Sequence, residues 1–409
     1  MVASAAIGGG GLLAAGFGDA TVKFVSMLRC RGDWAELAQV VRGIITINIL
    51  LSTVLAGIVW ILSPFAAHHV FKVEPPLREA CVRALRVGAA ILIVRSVESV
   101  FIGVLRAFEE YKVAVQITVI SRAFTLITIL GLVALGNGVA GIMGATLFIA
   151  SCSLILQWLA VRVHVGRLSF TLFPPRAAMV GVVRFGCFSW LQAVSGVVFS
   201  QADRLILGAF VGTSAVGCYS ICTQAAQPIH GLVAAGLHFL FPHLSARHSV
   251  VPVRALIPTV VTALVVNISL VSLLGVPVVL LSRVILSLWM GPAFAQQSWL
   301  VFALVAVGYG GLGLNVTGHY TLLALGNIKY LTCLNLAAGA VMLLVIALSI
   351  RRFGVLGAAA GRLVYGPVTW IMYFKIRQLV NRSVVVPKAD SSASLSVPAA
   401  ENGFARNVY

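Results

Sequence analysis

Negative charge is scarce in this sequence: 11 aspartates and glutamates stand against 29 lysines and arginines in 409 residues. Charge of either sign is scarce too, at 10%, where a soluble domain uses about 25% to cover its surface. With 60% hydrophobic residues and a mean hydropathy of +1.03, a water-soluble fold is excluded. The seven cysteines include no CxxC pair, so no thiol–metal site is expected. Cys218 and Cys222, one helical turn apart, are taken as small apolar helix residues. A basic n-region is missing at Met1–Ile7, which argues against a cleavable signal peptide. Paired carboxylates, a Gly-rich phosphate loop and a nucleophile constellation are all missing, so neither an enzyme nor a metal or cofactor site is expected. The net charge of +18 lacks the basic patch with interleaved aromatics that nucleic-acid binding requires.

What the sequence has instead is long apolar runs. A helix needs about 20 apolar residues to cross the hydrocarbon core, and eleven segments qualify: 4–28, 43–63, 82–105, 113–135, 139–161, 185–210, 215–241, 256–281, 298–325, 331–350 and 354–374. Barrel strands would be about ten residues long and alternate polar with apolar; Ile117 to Leu135 does neither. The fold class is therefore all-α and polytopic. Short loops set orientation through their basic residues. One alternate set carries Arg29, Arg31, Arg42, Arg106, Lys112, Arg162, Arg167, Arg176, Arg247, Arg254 and Lys329, joined by Lys375, Arg377, Arg382 and Lys388. The other carries Lys72, Arg78, Arg283, Arg351 and Arg352. The C-terminus is accordingly expected in the cytoplasm.

Two internal matches suggest a parallel repeat about an axis along the membrane normal. Gly138-Val139-Ala140-Gly141 and Gly354-Val355-Leu356-Gly357 each open a span, and each follows a lysine, Lys112 or Lys329, by a similar distance. Gly11 to Gly16 likewise resembles Gly231 to Gly236. The expected organisation is an N-terminal lobe (1–168, five helices), a cytoplasmic linker (169–184), a C-terminal lobe (185–374, six helices) and a disordered tail (375–409). Pairing places span 4–28 opposite the second helix of the later lobe, so a first helix is expected to be missing.

Charged residues inside spans narrow the function. Lys23, Arg83, Arg86, Arg95, Arg122, Arg184, Arg204 and Arg362 are basic; Asp19, Glu98 and Asp203 are acidic. Each costs roughly 2.5–3.5 kcal/mol at mid-helix if it faces lipid, so these groups are expected to face a wet cavity or one another. Arg83, Arg86 and Arg184 lie close enough to span ends to snorkel. Arg95 and Glu98 share a helix face, as do Asp19 and Lys23, while adjacent Asp203 and Arg204 point about 100° apart and need partners elsewhere. Arg122 and Arg362 have no acid on their own helix and are expected to attract an anion, since planar guanidinium suits phosphate. His230, His238 and His319 read as core histidines or a proton relay. Pro228, Pro242, Pro258 and Pro277, with Gly308, Gly310, Gly311 and Gly313, mark bends or loosened helix packing in the second half, points that could serve as hinges.

Gln201-Ala202-Asp203-Arg204-Leu205-Ile206-Leu207-Gly208, then Val216 to Cys222, then Phe241-Pro242-His243-Leu244-Ser245, resemble the seventh and eighth helices of polysaccharide (O-antigen) flippases of the MOP superfamily. Gly16 to Ala20 with Arg31-Gly32-Asp33 is similar to that family's second helix and first cytoplasmic loop, and Ala107 to Lys112 to the entry of its fifth helix. The resemblance spans residues 11–375. It implies two lobes around a V-shaped cavity, and alternating access that carries an undecaprenyl-pyrophosphate-linked oligosaccharide to the outer leaflet of a bacterial inner membrane, for lipopolysaccharide or related surface glycans. On that reading Arg122, Arg362, Arg95, Arg204 and Lys23 line the substrate cavity. Asp19, Glu98 and Asp203 are ion-coupling candidates for H⁺ or Na⁺. Membrane lipid and a polysaccharide polymerase or chain-length regulator are the expected partners. The alternatives are a cation-coupled MATE-type drug exporter, which would favour acids in the cavity, and a non-transporting remnant or scaffold in glycan assembly.

Overall fold

The computed structural model describes residues 2–70, 75, 78–165 and 176–385. Among them nine helical stretches are long and apolar enough to cross a membrane. The first half is built from α1 (Val2–Arg31), α2 (Trp34–Phe65), α3 (Arg78–Ala107), α4 (Tyr111–Ala134) and α5 (Val139–Val165). The second begins with α6 (Arg176–Phe210), followed by α7 (Thr213–Gly236), α8 (Leu240–His248), α9 (Ile257–Leu280), α10 (Ser282–Met290), α11 (Pro292–Leu314) and α12 (Val316–Ala324). It closes with α13 (Ile328–Arg362), α14 (Tyr365–Thr369) and α15 (Ile371–Val385). No strand occurs among the described residues.

The last apolar stretch, Ile328–Arg382, is 55 residues long, about twice what one crossing takes. It divides at Gly354, whose φ of 55° and ψ of −129° lie outside helical space. This is the second copy of the repeated Gly-Val motif, and the first copy opens α5 at the same relative place. The repeat therefore marks a helix start in both halves.

Two expected boundaries are corrected. The linker set at 169–184 is helical from Arg176, as the front of α6. The tail expected to be disordered from residue 375 is helical through Val385: Ile371, Tyr373 and Ile376 continue the apolar pattern of the last span before polar residues take over. Residues 386–409 lie outside the described ones.

Side-chain burial shows how the halves meet. At the end carrying Arg29, Arg106, Lys112, Arg247 and Lys329, one core draws on both. Val25, Leu28, Val104 and Leu105 from the first half pack with Leu240, Leu244, Leu322 and Leu331 from the second. Toward the opposite end the cores separate. Ala84, Ile91 and Met143 form a cluster within the first half, and Leu207, Tyr219, Phe302 and Ile350 one within the second. The halves are thus joined at the basic end and diverge away from it. Outward faces are apolar, as on α4, where Phe124, Leu126 and Ile127 are exposed, consistent with lipid as the solvent.

The expected loosening in α11 is instead a close packing contact. At Gly366, in α14, an added Cβ would meet backbone atoms of Gly311 at 3.1 Å, so two backbones touch with no side chain between them. Replacing Gly366 by leucine is expected to pry α11 from α14 and to convert a monodisperse size-exclusion peak into aggregate. A wild-type elution profile for the variant would count against this packing.

Candidate functional site

The site is assembled from charged groups that apolar helices carry inward and that find partners on other helices. Lys23 leaves α1 and reaches the other half. Its Nζ donates to the carbonyls of Leu323 (3.2 Å) and Ala324 (2.9 Å), at the C-terminus of α12. The Leu323 carbonyl also accepts from the Gly326 N–H at 3.0 Å; both carbonyls carry the negative end of the helix dipole, so a cation is favoured there. Gly326, at φ 76°, permits the approach: a Cβ on it would lie 2.9 Å from the Lys23 Nζ. Lys23 also sits 5.3 Å from the ring centre of Phe185. Its expected pairing with Asp19 along α1 is not formed among the described contacts. Asp19 Oδ2 accepts from Ser189 Oγ of α6 at 2.7 Å and lies within electrostatic range of Arg106. Arg106 in turn donates to Nε2 of His238 at 3.2 Å, a third link across the halves. Arg29 follows the same rule as Lys23 and caps α3 through the carbonyl of Ala107, at 2.9 Å.

The second charged cluster lies wholly in the later half. Arg362 Nη1 pairs with Asp203 Oδ2 at 2.5 Å, with Asp203 fully buried and the Arg362 side chain 14% exposed. Tyr219 donates to the same carboxylate oxygen at 2.9 Å, and Arg362 Nη2 donates to Tyr309 Oη at 3.0 Å. The guanidinium also stacks 4.7 Å from the Tyr309 ring centre. Arg362 is therefore neutralised and enclosed, and is not the free anion-attracting cation expected. Arg204, as the 100° offset requires, turns away from Asp203 to Thr223 Oγ1 at 3.2 Å.

In the first half, Arg95 and Glu98 form the expected pair, at 2.5 Å. Glu98 accepts two further bonds, from Ser153 Oγ (2.8 Å) and Gln157 Nε2 (2.9 Å) of α5. Both oxygens of this buried carboxylate are thus engaged, Oε2 by Arg95 and Oε1 by Ser153 and Gln157. Arg122 stays apart from all of these groups. It is exposed on α4, with no hydrogen bond or ion pair among the described residues. Its neighbours one turn away, Val119 and Leu126, are exposed as well. Arg86 lies over the ring of Trp60 at 5.2 Å, while Arg83 and Arg184 are exposed near helix ends, as snorkelling implies. His319 lies 3.4 Å from Gln192, ring nitrogen to amide nitrogen, and with His230 it lines a pocket in the second half. The seven cysteines are all free.

The eight candidate residues are therefore divided among separate clusters. Asp19 and Lys23 lie at the junction of the halves, Arg95 and Glu98 inside the first, Asp203, Arg204 and Arg362 inside the second, and Arg122 stands alone on the exposed face of α4. Sequence reasoning missed the uncharged partners: Ser189, Ser153, Gln157, Tyr219, Tyr309 and Thr223. The available signal was the polar residue within an apolar span, which in a membrane helix is costly unless a partner exists.

A family model described as "Polysaccharide biosynthesis protein" matches residues 12–248. No curated protein sequence matches the chain. Among solved structures, an outward-facing multidrug resistance MATE family transporter of the MOP superfamily is similar, at 15% identity and a TM-score of 0.77, covering 94% of this chain and 89% of that one. The Vibrio cholerae MATE transporter VcmN in the bent form is similar at 15% identity and TM-score 0.78, covering 91% and 86%. A MATE protein in the straight conformation is similar at 16% identity and TM-score 0.77, covering 94% and 90%. At such identities the likeness is one of fold.

Proposed function

Because this chain belongs to the polysaccharide biosynthesis protein family, we propose that it is a flippase for a lipid-linked oligosaccharide. It moves an undecaprenyl-pyrophosphate-linked glycan from the cytoplasmic to the outer leaflet of a bacterial inner membrane, for O-antigen or related surface polysaccharide. The observation that carries the reading is the one-ended junction: a core shared by both halves at the basic end and separate cores beyond it. By the positive-inside rule that end is cytoplasmic, so the arrangement is closed to the cytoplasm and open outward. The headgroup and sugars would cross between the halves while the polyprenyl tail stays in lipid.

In this scheme the pyrophosphate is met by Arg95 of the first half, with Lys23 available once the junction opens; Arg122, on the exposed face of α4 with Val119 and Leu126, lies outside it. Asp19 is the best-placed coupling group for H⁺ or Na⁺, because Ser189 is its only described hydrogen-bond donor. Glu98 and Asp203 are already held by arginines.

Purified protein in liposomes carrying a fluorescent undecaprenyl-pyrophosphate-linked oligosaccharide tests the proposal. Protein-dependent loss of signal to a membrane-impermeant quencher, beyond the half accessible in empty liposomes, is expected. Quenching that stops at the empty-liposome level under both a proton and a sodium gradient would refute it.

A further inference from the structure

The second half contains a pocket of about 220 Å³ whose lining is uncharged, with amides and imidazoles set among apolar and aromatic side chains. α6 contributes Gln192 and Phe199, α7 His230, the α11–α12 junction Asn315 and His319, and α13 Asn335. No lysine, arginine, aspartate or glutamate lines it. Such a wall lacks the cations that a pyrophosphate needs. Phe199, Tyr320 and Tyr365 give it flat apolar faces beside the amides.

Carboxamides suit a different ligand. Asn315 Nδ2 already donates to Thr369 Oγ1 and to the Gly366 carbonyl, but Gln192 Oε1 and Asn315 Oδ1 are buried without a partner among the described residues, so these oxygens can accept from ligand hydroxyls. Phe199 adds a flat apolar face for carbon–hydrogen edges. At about 220 Å³ the pocket is smaller than the roughly 300–1,000 Å³ of drug-sized sites, which limits its occupant to about one ring. We infer that this pocket binds one uncharged sugar ring. Under the flippase reading, on which the inference rests, it would hold a residue of the transported glycan, apart from the basic residues that meet the pyrophosphate.

The pocket has a mouth that can be closed without disturbing the fold. Gly196 on α6 lines it and is exposed, and a Cβ placed there would meet nothing within 4 Å. Gly196→Leu should therefore fold normally and occupy the opening. Asn335→Leu serves as a second variant, removing one amide while keeping side-chain volume similar.

The test is thermal unfolding of detergent-purified protein titrated with glucose, galactose, mannose, rhamnose and N-acetylglucosamine, with inorganic pyrophosphate as the charged control. At least one sugar is expected to raise the midpoint saturably, Gly196→Leu to abolish that rise, and Asn335→Leu to weaken half-saturation by tenfold or more. Pyrophosphate is expected to shift all three proteins equally. The inference fails if no sugar shifts the wild type, if the shift survives in Gly196→Leu, or if that variant loses a pyrophosphate response instead. The liposome assay separates the two readings: wild-type flipping with no pocket-dependent sugar response leaves the flippase standing and removes the sugar site.

Discussion

Replacing Asp203 by alanine is expected to destabilise the protein by about 3–5 kcal/mol, because it strands a buried guanidinium. Arg362 is 14% exposed and takes its charge compensation from that one carboxylate; two tyrosine hydroxyls remain but cannot neutralise it. Arg362→Ala should also lose stability, though less, since an orphaned carboxylate can take up a proton and stay bonded to Tyr219. The pair Asp203→Asn with Arg362→Gln is expected to regain more than half the loss, because both charges leave together and the amide oxygen at 203 can still accept from Tyr219. Unfolding midpoints of the three proteins read this directly. If the double variant proved no more stable than Asp203→Ala, the ion pair would not be what holds α6 to the end of α13. The result also decides how a lost activity is interpreted: failure of Arg362→Ala to transport would reflect a broken helix junction before it reflected a lost phosphate contact.

Lys23→Met should open the junction of the halves without unfolding either. Two hydrogen bonds to the terminal carbonyls of α12 are lost, along with the attraction between a cation and the helix dipole. Together these are worth roughly 1–3 kcal/mol in a partly buried setting. Spent on a two-state equilibrium, that amounts to about tenfold or more in population. Leu323 is buried at the junction, so Leu323→Cys in a background without the native cysteines reports its opening. Maleimide labelling of that cysteine is expected to be about tenfold faster with Met at 23 than with Lys. Equal rates would mean that the apolar core alone keeps the halves together.

The sequence carries the spans well, because eleven long apolar runs admit no other reading, and the repeated Gly-Val motif locates the break at Gly354 that the helix run alone conceals. The intrahelical pair Arg95–Glu98 was legible from spacing. Arg362 with Asp203 was not: they are 159 positions apart, and only the packing of α6 beside α13 brings them together. Lys23 shows a different limit. Spacing offered it Asp19, but the exposed carbonyls of a helix end in the other half compete as well as a carboxylate does, and no side-chain pattern records them. The uncharged pocket escaped notice for a related reason. A search weighted toward charge passes over Gln192, Asn315 and Asn335, whose amides become a site only when four helices converge.

The two halves are expected to close at one end at a time. Spin labels at the exposed positions Arg31 and Lys329 span the basic end, and labels at Asn137 and Arg352 span the other. Measured by electron–electron dipolar spectroscopy in lipid nanodiscs, the first pair should be short while the second is long. Adding undecaprenyl-pyrophosphate-linked oligosaccharide should populate the converse, with the first distance growing as the second shrinks. A single unchanged distance for both pairs, with and without the glycolipid, would contradict it.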